Sequence, residues 1–363
     1  MRCIALFTLV MLNFTFAYSQ SNDNRKELFE EAYNELEGML KGTEKLSFKR
    51  AVFVTENAYL GGRLDYETFN FRIAEYADLC TKISQQHQLL YKESDLKTVE
   101  KYASVFRFMT DTVYYLVDDS AYFKTTPFQY DFDDFWGDKN WTKMFVTKLL
   151  DTNLGNCHSL PFLYKILCEE LGANAYLAMA PNHTYIKLYS KKTGWFNTEL
   201  TSAYFPIDAW IMASGYIHLS AIQNGIYMDT LSQKQSISVT VIDLAKGYER
   251  KFPNDIDFIE KCADLALEYY PFYTNALLLK AEIFKKRFEA IMKKENLSYP
   301  SQALSIPEAR TLFNEMEKRY YHIHTIGYRM MPKEMYISWL GELKMQRDRY
   351  ANKELMMNLK STN

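Results

Sequence analysis

Glycine and proline are scarce in this 363-residue chain, with 13 and 9 copies. Both residues punctuate turns, so their scarcity points to few turns and mostly helix. Neither sign of charge dominates: 43 Lys and Arg stand against 45 Asp and Glu, with no basic stripe or run. That balance argues against nucleic acid as a partner. Cysteine is sparse too. Beyond Cys3 there are only Cys80, Cys157, Cys168 and Cys262, without metal-ligand spacing. Neither a disulfide framework nor a zinc site is indicated, and no metal or cofactor is expected; a single Cys80–Cys262 bridge stays open. After the first dozen residues no run is apolar enough to cross a membrane. What is abundant is apolar and aromatic: 48% hydrophobic residues against 24% charged, a globular composition, with 28 Tyr and 24 Phe.

The N-terminus reads as a signal peptide over 1–19. Arg2 gives a short positive start, Cys3 to Leu12 an apolar core, and Ala17-Tyr18-Ser19 a small-residue cleavage site before Gln20. The apolar core is shorter than the roughly 20 residues a membrane span needs. The expectation is a secreted or periplasmic protein that does not span the membrane after cleavage. In an oxidising compartment, a thiol kept free usually has a reason to be there.

Three regions follow. Residues 20–135 are helical by pattern, with apolar stripes at Leu28, Ala32 and Leu36, at Phe69, Ile73 and Cys80, and at Val99, Tyr102 and Val105. Residues 136–240 change character. Turn formers over 151–156 precede a helix predicted from Cys157 to Leu171 and stopped by Gly172. Two strand-like runs, 184–189 and 195–201, flank the hairpin-like 190–194. Residues 241–363 return to helices in pairs, among them 259–270 and 274–290. Ser305 and Glu308 are spaced as a capping box around Pro307. Two such pairs are fewer than a free-standing solenoid needs, so this region should pack against the middle one. Asp131, Asp133 and Asp134 match no calcium-loop spacing and read as a solvated face.

Cysteine catalysis needs a thiolate, a base to form it, and a third group to orient the base. Cys157, at a helix start after Gly155-Asn156, gains from the helix dipole, and Gly155 would let the chain turn tightly and expose the sulfur. His183 opens a strand 26 residues later. If Tyr189 faces Thr193 across a three-residue loop, His183 lies directly opposite Glu199, with Asn197 on the same face. Asp208 is a further acidic candidate. The backbone N–H of Cys157 is the natural oxyanion donor, and no second donor can be named. Cys168 reads as core, and His158, turned about 100° from Cys157, as a helix-start or rim residue.

Gly155-x-Cys157 opening a helix, His183 at a strand start and Trp195-x-x-x-Glu199-x-Thr201 resemble the transglutaminase-like superfamily, whose members carry Cys, His and Asp in that order on a papain-like core. The string 266–277, through Pro271, is similar to a tetratricopeptide helix junction. The resemblance covers about 136–210 specifically and the helical flanks in outline. It implies an α+β fold: a helix-rich core with a small antiparallel sheet, then tetratricopeptide-like helices. It also implies Cys157 as nucleophile, His183 as general base and acid, and Glu199 where the family has Asp, with Asn197 as a substitute. The expected activity is amide-bond chemistry through an acyl-thioester, as peptidase, amidase or acyl transferase, on a peptide or protein, cell-wall peptide included. The alternative is an inactive papain-like module that recognises a protein or cell-wall peptide through its cleft and helical repeats.

Overall fold

A computed structural model describes residues 25–345 except 119 and 120, together with 349, 351 and 352. The signal peptide read over 1–19 lies outside the described residues. The fold is α+β, mostly helical, with a small three-stranded antiparallel sheet.

Four helices open the described chain: α1 (25–41), α2 (Phe48–Tyr59), α3 (Tyr66–Gln86) and α4 (Leu96–Thr110). Their starts follow from local chemistry. Ser47 accepts from the Arg50 N–H and Asp65 from the Thr68 N–H, each satisfying an amide that has no partner within its helix. A hairpin of β1 (Tyr114–Asp118) and β2 (Ala121–Lys124) comes next, in a stretch that the apolar pattern reads as helical. The short β3 (Gln129–Tyr130) then pairs in parallel with β4 (Leu154–Gly155), across a 3-10 turn (Trp141–Met144) and α5 (Val146–Thr152).

Helix α6 (Ser159–Glu170) is the hub. Every residue from Ser159 to Cys168 is buried, so it packs on all sides rather than along the single leucine stripe of its sequence. The sheet follows in the order β5 (Tyr176–Ala180), β6 (His183–Ser190), β7 (Gly194–Thr198). The sequence pattern does not reveal β5, because Leu, Ala and Met favour helix. It is a strand because it pairs with β6 along its whole length, and tertiary pairing overrides propensity.

After the short helices α7 (Ala209–Met212) and α8 (Leu219–Gln223) come α9 (Gln233–Lys251), α10 (Ile256–Tyr269), α11 (Thr274–Lys294), α12 (Pro300–Ala303), α13 (Pro307–Thr325) and α14 (Lys333–Met345). The boundary read at 240 falls inside α9. That helix packs against α2 and α10 at once, and one continuous core runs from Phe29 to Ile283. The capping box read at Ser305 and Glu308 is not made. Ile306 occupies the cap position, and the Ser305 hydroxyl turns back to donate to the Gln302 carbonyl, closing α12.

Candidate active site

The nucleophile candidate is placed by a knot of hydrogen bonds at the start of α6. Asn153 ends α5 with φ 55, a left-handed conformation that Asn tolerates. β4 then lies against β3, the Asp131 N–H donating to the Gly155 carbonyl at 2.7 Å. Gly155 has no positive φ, and the sulfur that the sequence reading expected it to expose is buried. Its role is close approach: a Cβ there would sit 2.7 Å from Ser159 Oγ and 2.8 Å from Leu149 Cδ1. Asn156 is buried, and its Oδ1 accepts from the His158 and Ser159 N–H groups, both at 3.0 Å. Its Nδ2 donates to the Phe135 carbonyl at 2.9 Å. Cys157 therefore sits two residues ahead of the first helical residue, facing the positive end of α6.

His183 arrives on a tight hairpin. Ala180 pairs with His183 across Pro181-Asn182, with Asn182 at φ 55. This turn sets the Asn182 carbonyl 3.7 Å from Cys157 Sγ and aims the next residue, His183, at the sulfur. The β6–β7 register differs by one pair from the sequence reading: Ser190, not Tyr189, opens the ladder opposite Gly194, and Ile186 faces Thr198. Glu199 is consequently diagonal to His183 rather than opposite. Parity is preserved, so both stay on one face, and the longer Glu side chain bridges the diagonal.

His183 Nε2 lies 2.7 Å from Glu199 Oε2. The other carboxylate oxygen of Glu199 accepts from the Thr201 N–H at 2.7 Å and the Thr201 hydroxyl at 2.5 Å. Glu199 is thus the group that orients the imidazole. Asn197 is not: its Nδ2 donates to the Pro206 carbonyl at 3.1 Å and to Asp208 Oδ1 at 2.9 Å, tying β7 to the start of α7. Asp208 goes with it and does not reach His183. The opposite nitrogen, Nδ1, lies 3.1 Å from the Tyr336 hydroxyl, which is 3.3 Å from the Tyr130 hydroxyl. Both phenols face the Cys157 thiol. The His183 ring meets Trp210 and Trp339 edge to face, each at 5.6 Å.

The electrostatics are those of an ion pair. Burial pushes the Cys157 thiol up, but the His183 hydrogen bond and charge, the Tyr336 hydroxyl and the charge of His158 together bring it below its ordinary value. For His183, burial favours the neutral ring. The charge of Glu199, the Cys157 contact and the Glu199 hydrogen bond reverse this and push it up to about 10. Cys80, Cys168 and Cys262 are buried free thiols, each pushed up by burial, so no Cys80–Cys262 bridge is present.

A cleft of about 620 Å³ runs from this pair toward α9 and α11, walled by aromatic side chains that include Trp136, Tyr227, Tyr270 and Tyr273. On the other side Met331, Tyr336 and Trp339, from the segment leading into α14 and from α14 itself, cover the pair. Cys157 and His183 retain 6% and 3% exposure.

Two further parts of the site carry no local sequence signal. Tyr336 lies 153 residues beyond His183, and the sequence reading names no function for it. His158 is the helix-start residue that the sequence offered as one alternative, capping α6, but it is held inward rather than at the rim: Nδ1 is 3.0 Å from the Met144 carbonyl and Nε2 is 2.9 Å from Asp243 Oδ2 on α9. The acidic cluster also differs from its reading. Asp134 is buried and accepts from the Lys139 and Asn140 N–H groups, and Asp131 pairs with Lys143 at 2.6 Å. These aspartates hold the loop ahead of the 3-10 turn, and among the described residues no cluster suited to a metal ion occurs.

Comparison with family models, curated proteins and solved structures finds no match to this chain.

Proposed function

We propose that the chain is a transglutaminase-like thiol enzyme with a papain-like core that acts on amide bonds, Cys157 being the nucleophile and His183 its base and acid. One observation carries this reading. Of the four described cysteines, Cys157 alone faces an imidazole whose far nitrogen is held by a carboxylate, at 2.7 Å. The order of roles follows from the geometry. The imidazolium and thiolate form a ready pair, the thiolate attacks the amide carbonyl, and His183 returns its proton to the leaving amine. Glu199 keeps Nε2 engaged so that Nδ1 serves the sulfur. Water or an amine then takes the acyl group from the thioester. The long aromatic-walled cleft fits a peptide or protein segment, cell-wall peptide included.

The cover of Tyr336 and Trp339 over the pair favours a second reading, a papain-like shell that binds a peptide without cleaving it. Alkylation of Cys157 by iodoacetamide from pH 4 to pH 10 separates the two. The enzyme reading expects a rate plateau extending into acid, lost in His183→Ala. A single titration near 9.0, the ordinary thiol value, unmoved by that substitution, leaves the binding shell.

A further inference from the structure

The residue after the nucleophile has a role that neither the sequence pattern nor the Cys–His–Glu arrangement assigns. His158 Nδ1 is 3.0 Å from the Met144 carbonyl oxygen and Nε2 is 2.9 Å from Asp243 Oδ2. A carbonyl and a carboxylate both accept. A neutral imidazole has one N–H and can satisfy only one of them; the doubly protonated ring satisfies both. The ring is also clamped, packing on Phe162 with centroids 4.0 Å apart, and its side chain is only 15% exposed.

We propose that His158, held by Asp243 of α9, is a positioning residue that fixes an imidazolium in the wall of the cleft that Cys157 also lines, so that the thiolate is supported by a second cation besides His183.

The charged groups that act on His158 come from three elements. From α9 comes Asp243; the next charged pair on that helix, Lys246 and Glu249, is mutually engaged at 3.0 Å. From α2 comes Glu56, which burial pushes up to about 7 and whose oxygens accept from the Val146 and Thr147 N–H groups at 2.7 and 2.9 Å. From its own segment comes Cys157, and from the 3-10 turn only a carbonyl. The ring nitrogens of His158 bond the Met144 carbonyl and Asp243 rather than the sulfur, so its effect on Cys157 is that of charge and place. A fixed cation favours the thiolate as nucleophile and again as leaving group when the thioester breaks. The arrangement makes α9 part of the site: the carboxylate that secures the cation belongs to a helix that also packs against α10 of the helical tail.

The inference rests on the thiol-enzyme reading above, and the test separates their failures. Iodoacetamide alkylation of Cys157 is followed against pH in wild type, His158→Gln, Asp243→Asn, Asp243→Glu and His183→Ala, with each variant checked for folding by thermal unfolding. His158→Gln and Asp243→Asn should each raise the thiol midpoint, by about one unit for loss of a nearby buried charge, and Asp243→Glu should restore most of it. Nitrogen-15 spectra of wild-type imidazoles, which need no variant, should show His158 doubly protonated at pH 7.5. A folded His158→Gln with the wild-type midpoint, or a His158 ring neutral at pH 7.5, overturns the inference. A wild-type midpoint near 9.0 that His183→Ala leaves alone overturns the enzyme reading instead, whatever the His158 spectrum shows.

Discussion

Glu199 and Asn197 lie two apart on the same chain, yet their hydrogen bonds point to different duties. Glu199 completes the His183 contact at 2.7 Å, whereas Asn197 ties β7 to Pro206 and Asp208. Glu199→Gln keeps an oxygen near Nε2 but removes the charge that raises His183. Amide turnover should fall by about 100-fold or more, as expected for a disabled acid–base group, with the loss in kcat and the thiol alkylation profile displaced toward alkaline pH. Asn197→Ala should leave kcat within about twofold, a change too small to involve the chemistry. It should instead destabilise the fold by about 1–2 kcal/mol for the lost buried hydrogen bonds. Steady-state kinetics and urea unfolding on both variants check the contrast; equal kinetic losses would return Asn197 to the site. The pairing of His183 with an acid on the same strand face was legible in the sequence, because face parity survives the one-pair change of register. Which acceptor wins was not, because Asn197 is drawn away by the Pro206 carbonyl and Asp208, partners that the folded chain brings to it.

At the scale of elements, the site depends on how α5 and α6 begin and end. Glu56 of α2 is buried, and its two oxygens accept from the Val146 and Thr147 N–H groups at the start of α5. A side chain 90 residues away thus does the work of a local cap, and α5 in turn delivers the strand β4 that leads to Cys157. Glu56→Ala leaves those amides without partners, the Val146 one fully buried, and should destabilise the protein by about 2 kcal/mol. Urea unfolding measures it; a change under about 0.5 kcal/mol, the usual range for surface substitutions, would mean that water replaces the carboxylate. No helix-start signal stands before Val146, since the cap comes from another element. Signals that were present could also mislead. Ser305 and Glu308 have capping-box spacing, but Ser305 closes the preceding turn at Gln302 instead.

For the whole molecule, the ion pair sets a shape for stability against pH. His183 is raised from 6.5 to about 10. Its contribution is full below 6.5 and is lost as pH rises through about 10. Cys157 is lowered from 9.0. Its contribution is full above 9.0 and is lost as pH falls toward its folded value. From the higher of 6.5 and the folded Cys157 value up to 9.0, the Cys157 gain offsets the His183 loss, so the pair's contribution is level there and declines above 9.0. Urea midpoints against pH should show this level stretch in wild type. In Cys157→Ala the His183 contribution remains alone, and the stretch should tilt downward with rising pH; parallel curves for the two proteins would rule out a buried ion pair.

By itself the sequence determined the helical class, the short antiparallel hairpin, and the order Cys157, His183, Glu199, because these rest on local periodicity, turn chemistry and strand parity. Only the tertiary structure decided that β5 is a strand, that α9 joins the core and the tail in one hydrophobic interior, that Tyr336 reaches His183, and that Asp243 holds His158. Each of those outcomes depends on contacts between residues distant in the chain. Burial of a group such as His183 or His158 is set by everything folded around it, so its charge state is a property of the assembled interior rather than of any stretch of sequence.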